Sequence, residues 1–391
     1  MLKQLLGGLS PQQFLSSYWQ KQPLFVANAI PEFESPIDPD ELAGLACEED
    51  VESRIIVERD GLHPWELRHG PFSELDFSEL PATHWTLLVQ ECNKYVAELA
   101  QILEWFNFIP NWRVDDVMVS YAPEQGSVGP HLDQYDVFLI QAMGTRRWQI
   151  DTRADQATDL IPDLDLRILQ QFSAEQEWTV KPGDILYLPP GVAHYGVALE
   201  DCITLSVGFR APAHQDLITS FVDYLGTHIN HNELRYADPD LKLQKHPGEI
   251  TPEDVAKIGE IIRQQLLHME QLPQWFGHYI TSPKNVPEDL SLQETVDTTA
   301  FLEKLFLIKS LHRSEYSRFA FVKQDAQHIL MFIDGEGKRL SGKQAELAML
   351  ICDQRQYPVS ELTAYLEYPA CVEQLIALTN AGILYFPEDD D

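Results

Sequence analysis

The sequence predicts an α+β chain: a small β-barrel or sandwich core flanked by helices, then a helical segment, then a winged-helix-like C-terminal module. Three observations carry this. Residues from about 85 to 210 contain short strand-like runs, "DVMVSYA", "DVFLIQA", "RRWQI", "EWTV", "DILYLP" and "CITLSVGF", separated by the turns "PEQGSVGP", "AMGT", "KPGD" and "PPGVAH". After Arg210 the pattern becomes helical. From residue 297 onward, helices alternate with a small β ribbon. The expected domains are 1–210, 211–288 and 289–391.

In chain order, the N-terminus reads as a loop and then an amphipathic helix, with Ser10 as N-cap and Pro11 at the first helical position. Segments 38–50 and 84–107 read as helices packed outside the β core. Residues 214–228 read as one helix. A second starts with Thr251 as N-cap, Pro252 next and Asp254 in the first turn; Val255, Ile258, Ile262, Leu266 and Met269 give it one stripe expected to be buried. A second copy of the chain is a candidate to cover such helices. "DLSLQETVDTT" (289–299) reads as a linker. Strands near 317–322 and 328–333, the turn "DGEGK", helices near 343–352, 359–366 and 371–381, and "GILYF" complete the chain.

Formal net charge is −33, from 28 basic and 61 acidic side chains, which argues against a sequence-independent grip on nucleic acid. The C-terminal segment 297–391 keeps that sign, with 9 Lys+Arg against 15 Asp+Glu, so a protein-contact role is expected there instead of DNA binding. An acidic surface suits a basic protein partner. No apolar run is long enough for a membrane span, and the N-terminus lacks a signal-peptide pattern. Five scattered cysteines without CxxC support neither a disulfide framework nor a zinc ribbon; a cytoplasmic protein is expected.

The chemistry sits in "GPHLDQYDVFLIQ" (129–141). His131 and Asp133 at i and i+2 share a strand face and reach one ion, although an HxD pair alone is common and equally fits a loop end. His194, after the Pro-Pro-Gly turn of "DILYLPPGVAHYGVAL", supplies a third ligand. Two imidazoles and one carboxylate form the facial triad of non-haem Fe(II) oxygenases, with zinc as the rival ion. Arg146 in "GTRRW" suits the distal carboxylate of a 2-oxo diacid, with Trp148 on the same face as a pocket wall. Thr204 and Ser206 share a face and offer a hydroxyl contact to this co-substrate. Asp115 and Asp116 are candidates to hold a cationic substrate group or simply to cap a strand. His63, His69, His84, His228 and His231 are read as non-functional, the first three in an irregular polar region.

"GPHLDQYDVFLIQAMGTRRWQI", "KPGDILYLPPGVAHYGVALE" and "LSVGFRAP" resemble the bacterial ribosomal oxygenases of the JmjC (cupin) family, and the likeness extends over essentially the whole chain. The resemblance implies a double-stranded β-helix, a helical dimerisation region and a C-terminal winged helix. It implies His131, Asp133 and His194 as catalytic iron ligands and Arg146 as the 2-oxoglutarate anchor, where many JmjC enzymes use Lys. The cofactors implied are Fe(II), 2-oxoglutarate as co-substrate and O2. The reaction implied is hydroxylation of an arginine side chain on large-subunit ribosomal protein sixteen by a homodimer. Alternatives are a histidyl ribosomal-protein hydroxylase, a cupin-type small-molecule oxygenase, or a non-catalytic ribosome or DNA binder.

Overall fold

The computed structural model describes residues 2–59, 65–153, 159–228, 235–239, 241–243, 246, 248–267, 269–283 and 295–387. Twelve strands build the N-terminal half: β1 (Leu24–Val26), β2 (Ser53–Glu58), β3 (Trp65–His69), β4 (Trp85–Val89), β5 (Val114–Ala122), β6 (His131–Leu132), β7 (Val137–Met143), β8 (Arg146–Asp151), β9 (Gln176–Val180), β10 (Ile185–Leu188), β11 (Ala193–Ala198) and β12 (Cys202–Phe209). They form an eight-stranded sheet, β1-β10-β7-β12-β5-β4-β2-β3, and a four-stranded sheet, β6-β11-β8-β9. Both are antiparallel. One cleft is lined from both sheets, the arrangement of a double-stranded β-helix.

Strand alternation decides what each face meets. On β12, Ile203, Leu205 and Val207 enter the main core, while Thr204, Ser206 and Gly208 face the cleft. On β5, Val117 and Val119 are core residues, whereas Asp116, Met118 and Ser120 line the cleft. The main core lies between the large sheet and the N-terminal helices and includes the aromatic group Phe14, Phe106, Phe138, Tyr187 and Phe209. A smaller cluster, Val137, Leu139, Trp148, Ile150, Val180, Leu186 and Leu188, joins strands of the two sheets.

The helix starts follow their sequence signals. Ser10 and Thr251 both form capping boxes, with Pro11 and Pro252 next in line. Helices Pro39–Leu45, His214–His228 and Pro252–Leu266 lie where expected. Leu2–Leu5, expected as loop, is a short helix whose Leu5 is buried.

Three expectations need correction. Trp85–Val89, expected within a helix, is strand β4 between β2 and β5; a central strand is apolar on both faces and loses the alternation that marks strands. His69 does not lie in an irregular region but ends β3, a partner of β2. The stripe Val255, Ile258, Ile262, Leu266 and Met269 is exposed, not buried, at 41–60%. His63 and His231, and 289–294 of the expected linker, lie outside the described residues.

The C-terminal module has helices Thr298–Ile308, Gly342–Asp353, Val359–Leu366 and Pro369–Asn380. Its strands are β13 (Ser310–Arg313), β14 (Phe319–Lys323), β15 (His328–Ile333), β16 (Glu336–Ser341), β17 (Gln356–Pro358) and β18 (Leu384–Tyr385). The turn in "DGEGK" leads into β16 and so makes a three-stranded wing, β14-β15-β16. Helix Leu272–Thr281 packs on that wing: a Cβ on Gly277 would lie 2.2 Å from the Phe332 ring, so only glycine permits this approach.

Candidate metal centre and co-substrate cleft

The two sheets enclose a cleft of about 1160 Å³. His131, Asp133 and His194 converge inside it, each offering a ligand atom within 4.8 Å of the others. Register explains the meeting. β6 pairs antiparallel with β11, setting His131 directly opposite His194. Asp133 lies just beyond the two-residue strand β6, so the turn, and not strand alternation alone, brings its carboxylate back. The rings stand 4.2 Å apart, and the Asp133 oxygens lie 3.9 Å from His131 Nε2 and 3.5 Å from His194 Nε2.

The tautomers are fixed from behind. His131 Nδ1 lies 2.9 Å from the Gly129 carbonyl, and His194 Nδ1 lies 3.0 Å from that of Val192. A carbonyl only accepts, so each Nδ1 donates and each Nε2 presents its lone pair toward Asp133. Burial, with His131 alongside, pushes the His194 pKa down to about 4 and keeps the ring neutral. Two imidazoles and a carboxylate on one side of an open cleft suit a divalent ion that keeps exchangeable positions.

The segment carrying these ligands is anchored by Asp136, which is fully buried. Its oxygens accept from Tyr187 Oη at 2.7 Å, Gln20 Nε2 at 2.9 Å and Arg113 Nη2 at 3.2 Å. Sequence reading passed over this residue; an acid flanked by "QY" and the apolar run "VFLI" was the available signal.

Arg146 and Trp148 project from the same face of β8 into the cleft, and the guanidinium lies 5.0 Å from the indole centroid. Arg146 is 2% exposed. Nη2 donates to the Gly196 carbonyl at 3.2 Å, while Nε and Nη1 are buried with no hydrogen-bond partner among the described residues and the Cys202 thiol nearby. A buried cation with unanswered donors is costly unless an anion joins it. Gly196 is the other half of this arrangement: a Cβ there would lie 2.6 Å from Trp148 and 2.8 Å from Arg146 Nε. Gly196 follows His194 by two residues on one strand face, about 7 Å along the strand. A five-carbon diacid spans that interval.

Thr204 lines the same end, but its hydroxyl donates to Gln141 Oε1 at 3.0 Å. Ser206 lies next along the cleft face. Asp115 and Asp116 both line the cleft and differ in their partners. Asp116 faces the cleft and accepts from the Glu91 amide at 3.0 Å. Asp115 is engaged by Arg210 at 3.2 Å and by Arg318 of the C-terminal module at 3.4 Å. His69 lines the cleft without joining the metal cluster, and the His84 ring bonds to the Thr83 hydroxyl.

Comparison with known proteins places this geometry. The JmjC domain family matches residues 101–217, and the ROXA-like winged helix family matches 263–385. The chain is 41% identical over 273 residues to the Escherichia coli (strain K12) ribosomal protein uL16 3-hydroxylase, covering 70% of this chain and 71% of that one. It is 36% identical over 282 residues to a probable ribosomal oxygenase of Haemophilus influenzae, covering 70% and 68%. The X-ray structure of E. coli YcfD superposes with a TM-score of 0.83 at 33% identity, over 97% of this chain and 98% of that one. YcfD, a ribosomal oxygenase, in complex with cobalt and 2-oxoglutarate gives 0.80 at 32% identity, over 97% and 99%.

Proposed function

The chain belongs to the JmjC-domain ribosomal oxygenases, and from that membership we propose that it hydroxylates an arginine side chain of a large-subunit ribosomal protein, the counterpart of uL16. It is an Fe(II)- and 2-oxoglutarate-dependent oxygenase. His131, Asp133 and His194 hold the iron. Arg146 grips the distal carboxylate of 2-oxoglutarate with Nε and Nη1, which have no hydrogen-bond partner among the described residues. That buried cation, bonded to Gly196 two residues along β11 from His194, is the single observation that carries the reading. A small-molecule cupin needs no diacid anchor of this kind.

Bound iron, with 2-oxoglutarate and O2, supplies the oxidising power that replaces one substrate hydrogen by hydroxyl while 2-oxoglutarate becomes succinate and CO2. The protein's own residues place the partners. Trp148 walls the co-substrate end and excludes water from the Arg146 carboxylate pair. Thr204 adds a hydroxyl beside that carboxylate by turning from Gln141. Asp116, on the opposite wall with Ser206, presents a carboxylate toward an incoming guanidinium, which favours arginine over histidine as target.

The assembly is a homodimer. Helix Pro252–Leu266 has no buried residue, and the helix His214–His228 beside it exposes Ile218 and Val222. A lone helix of this length is marginal in water, so its apolar row needs a cover. A second copy brings the same row. No helix among the described residues is long and apolar enough to cross a membrane, and a ribosomal substrate supports a cytoplasmic location. The acidic excess of segment 297–391 argues against direct nucleic-acid binding.

The test is incubation of the purified chain with Fe(II), 2-oxoglutarate, O2 and the recombinant uL16 counterpart. One added oxygen atom on one arginine is expected, with succinate formed in equal amount. Succinate formation with no change in the ribosomal protein's mass would reject the substrate assignment.

A further inference from the structure

Arg318 of the C-terminal module contacts two residues that line the cleft. Arg318 lies in the loop between β13 and β14 and is 16% exposed. Its Nη2 lies 3.4 Å from Asp115 and 3.7 Å from Glu91, both residues of the N-terminal half that line the cleft. Its backbone is clamped by the wing: Arg318 N donates to Asp334 Oδ1 at 2.7 Å, and Asp334 N donates to the Arg318 carbonyl at 3.1 Å. The wing is in turn tied to helix Leu272–Thr281, where Gly335 N donates to Thr281 Oγ1 at 3.1 Å. That helix receives Arg210 at the Ile280 carbonyl, and Arg210 is the second cation on Asp115.

Glu91 is the link to the substrate side. It adopts a left-handed backbone with φ 51°, which a residue with a side chain holds only when its surroundings impose it. Lys94 pins its carboxylate from one side at 2.8 Å, and Arg318 faces the other oxygen. Its amide donates to the Asp116 carboxylate. An ion contact of 3.7 Å from Arg318 to Glu91, and then the Glu91 amide on Asp116, connect the module to the acid that faces the cleft.

We propose that Arg318 is a positioning residue for the hydroxylation: the C-terminal module, through Arg318, holds Glu91 and Asp115 so that Asp116 meets the substrate cation in one place. The inference rests on the substrate reading above. Two roles of this cation oppose each other. As a charge, Arg318 weakens the attraction of an acidic cleft for a basic protein. As a clamp, it fixes where that protein's side chain is held. Removing a simple charge would lower KM for the protein substrate and leave coupling intact. Removing a clamp misplaces the target carbon, so 2-oxoglutarate is consumed without hydroxylation.

The experiment measures hydroxylated product per succinate, KM for the uL16 counterpart and KM for 2-oxoglutarate, in the full-length protein and in Arg318→Gln and Arg318→Lys. In Arg318→Gln, product per succinate is expected to fall roughly tenfold or more, since misplacement near an ångström has effects of that order. KM for the ribosomal protein does not rise, and KM for 2-oxoglutarate stays within about twofold because Arg146 is untouched. Arg318→Lys, which keeps the charge but not the planar guanidinium, recovers part of the coupling. Unaltered product per succinate in Arg318→Gln overturns the inference, whether KM falls or not. If Arg318→Gln does not fold, Arg318→Lys decides: wild-type coupling there is equally contrary. Absence of hydroxylation by the wild type would instead reject the substrate reading itself.

Discussion

The cleft and the helix Pro252–Leu266 are both incomplete, in opposite ways. In the cleft, polar groups are buried and unanswered: Arg146 is 2% exposed with two idle donors, and His194 is 2% exposed beside another imidazole and a carboxylate. On the helix, apolar groups are exposed and uncovered, with Val255 at 60% and Ile262 at 53%. Burial without a partner asks for a small charged ligand. Exposure of an apolar row asks for another protein surface. The two defects therefore point to different occupants, and separate treatments should move one without the other.

The largest effect falls on the metal cluster. Asp133→Ala removes the only carboxylate of the three ligands, and hydroxylation is expected to drop to background, with loss of stoichiometric iron by elemental analysis. A chelator does the same to the wild type. Neither treatment changes the oligomeric state by light scattering; a monomer produced by either would join two features held here to be independent.

Next in size is the anchor. Arg146→Gln leaves the diacid's carboxylate without its cation and should raise KM for 2-oxoglutarate about 100-fold, within the range of roughly 2–5 kcal/mol for removing one partner of a buried charge pair. Steady-state titration of 2-oxoglutarate checks this. A KM within a few-fold of wild type would mean the idle donors serve another group. Gly196→Ala should act in the same direction, because its Cβ enters the space of Trp148 and Arg146 Nε.

The helix responds to a different change. Ile258→Asp with Ile262→Asp puts two charges into the apolar row, and sedimentation should shift from dimer to monomer while iron content is retained. Salt gives the smallest and most discriminating effect. Between about 0.15 and 1 M salt the screening length falls from about 8 to about 3 Å, so KM for the basic ribosomal protein should rise several-fold while the apolar dimer persists. Dissociation of the proposed dimer by salt alone would assign its interface to charges.

Much of this was legible in the chain. The strands from 114 to 209 announce themselves because Gly/Pro turns bracket alternating runs, and the ligands fall at their ends. Trp85–Val89 did not, since a strand covered on both faces carries no period. The row from Val255 to Met269 was visible as a stripe, but periodicity reports amphipathy and not whether the covering surface belongs to the same chain. Asp115 and Asp116 are indistinguishable as neighbours in sequence, and both line the cleft; their partners separate them, Arg210 and Arg318 for Asp115 and the Glu91 amide for Asp116. Arg318 and Asp136 were missed because their partners are remote in sequence, and no local pattern encodes them.

The most direct measurement compares the masses of ribosomal proteins from three strains of the source cell: wild type, deletion, and deletion complemented with Asp133→Ala. The expected result is one large-subunit protein heavier by one oxygen atom, on a single arginine, in the wild type alone. Equal masses in all three strains, or the added oxygen persisting with Asp133→Ala, would contradict hydroxylation by this metal centre.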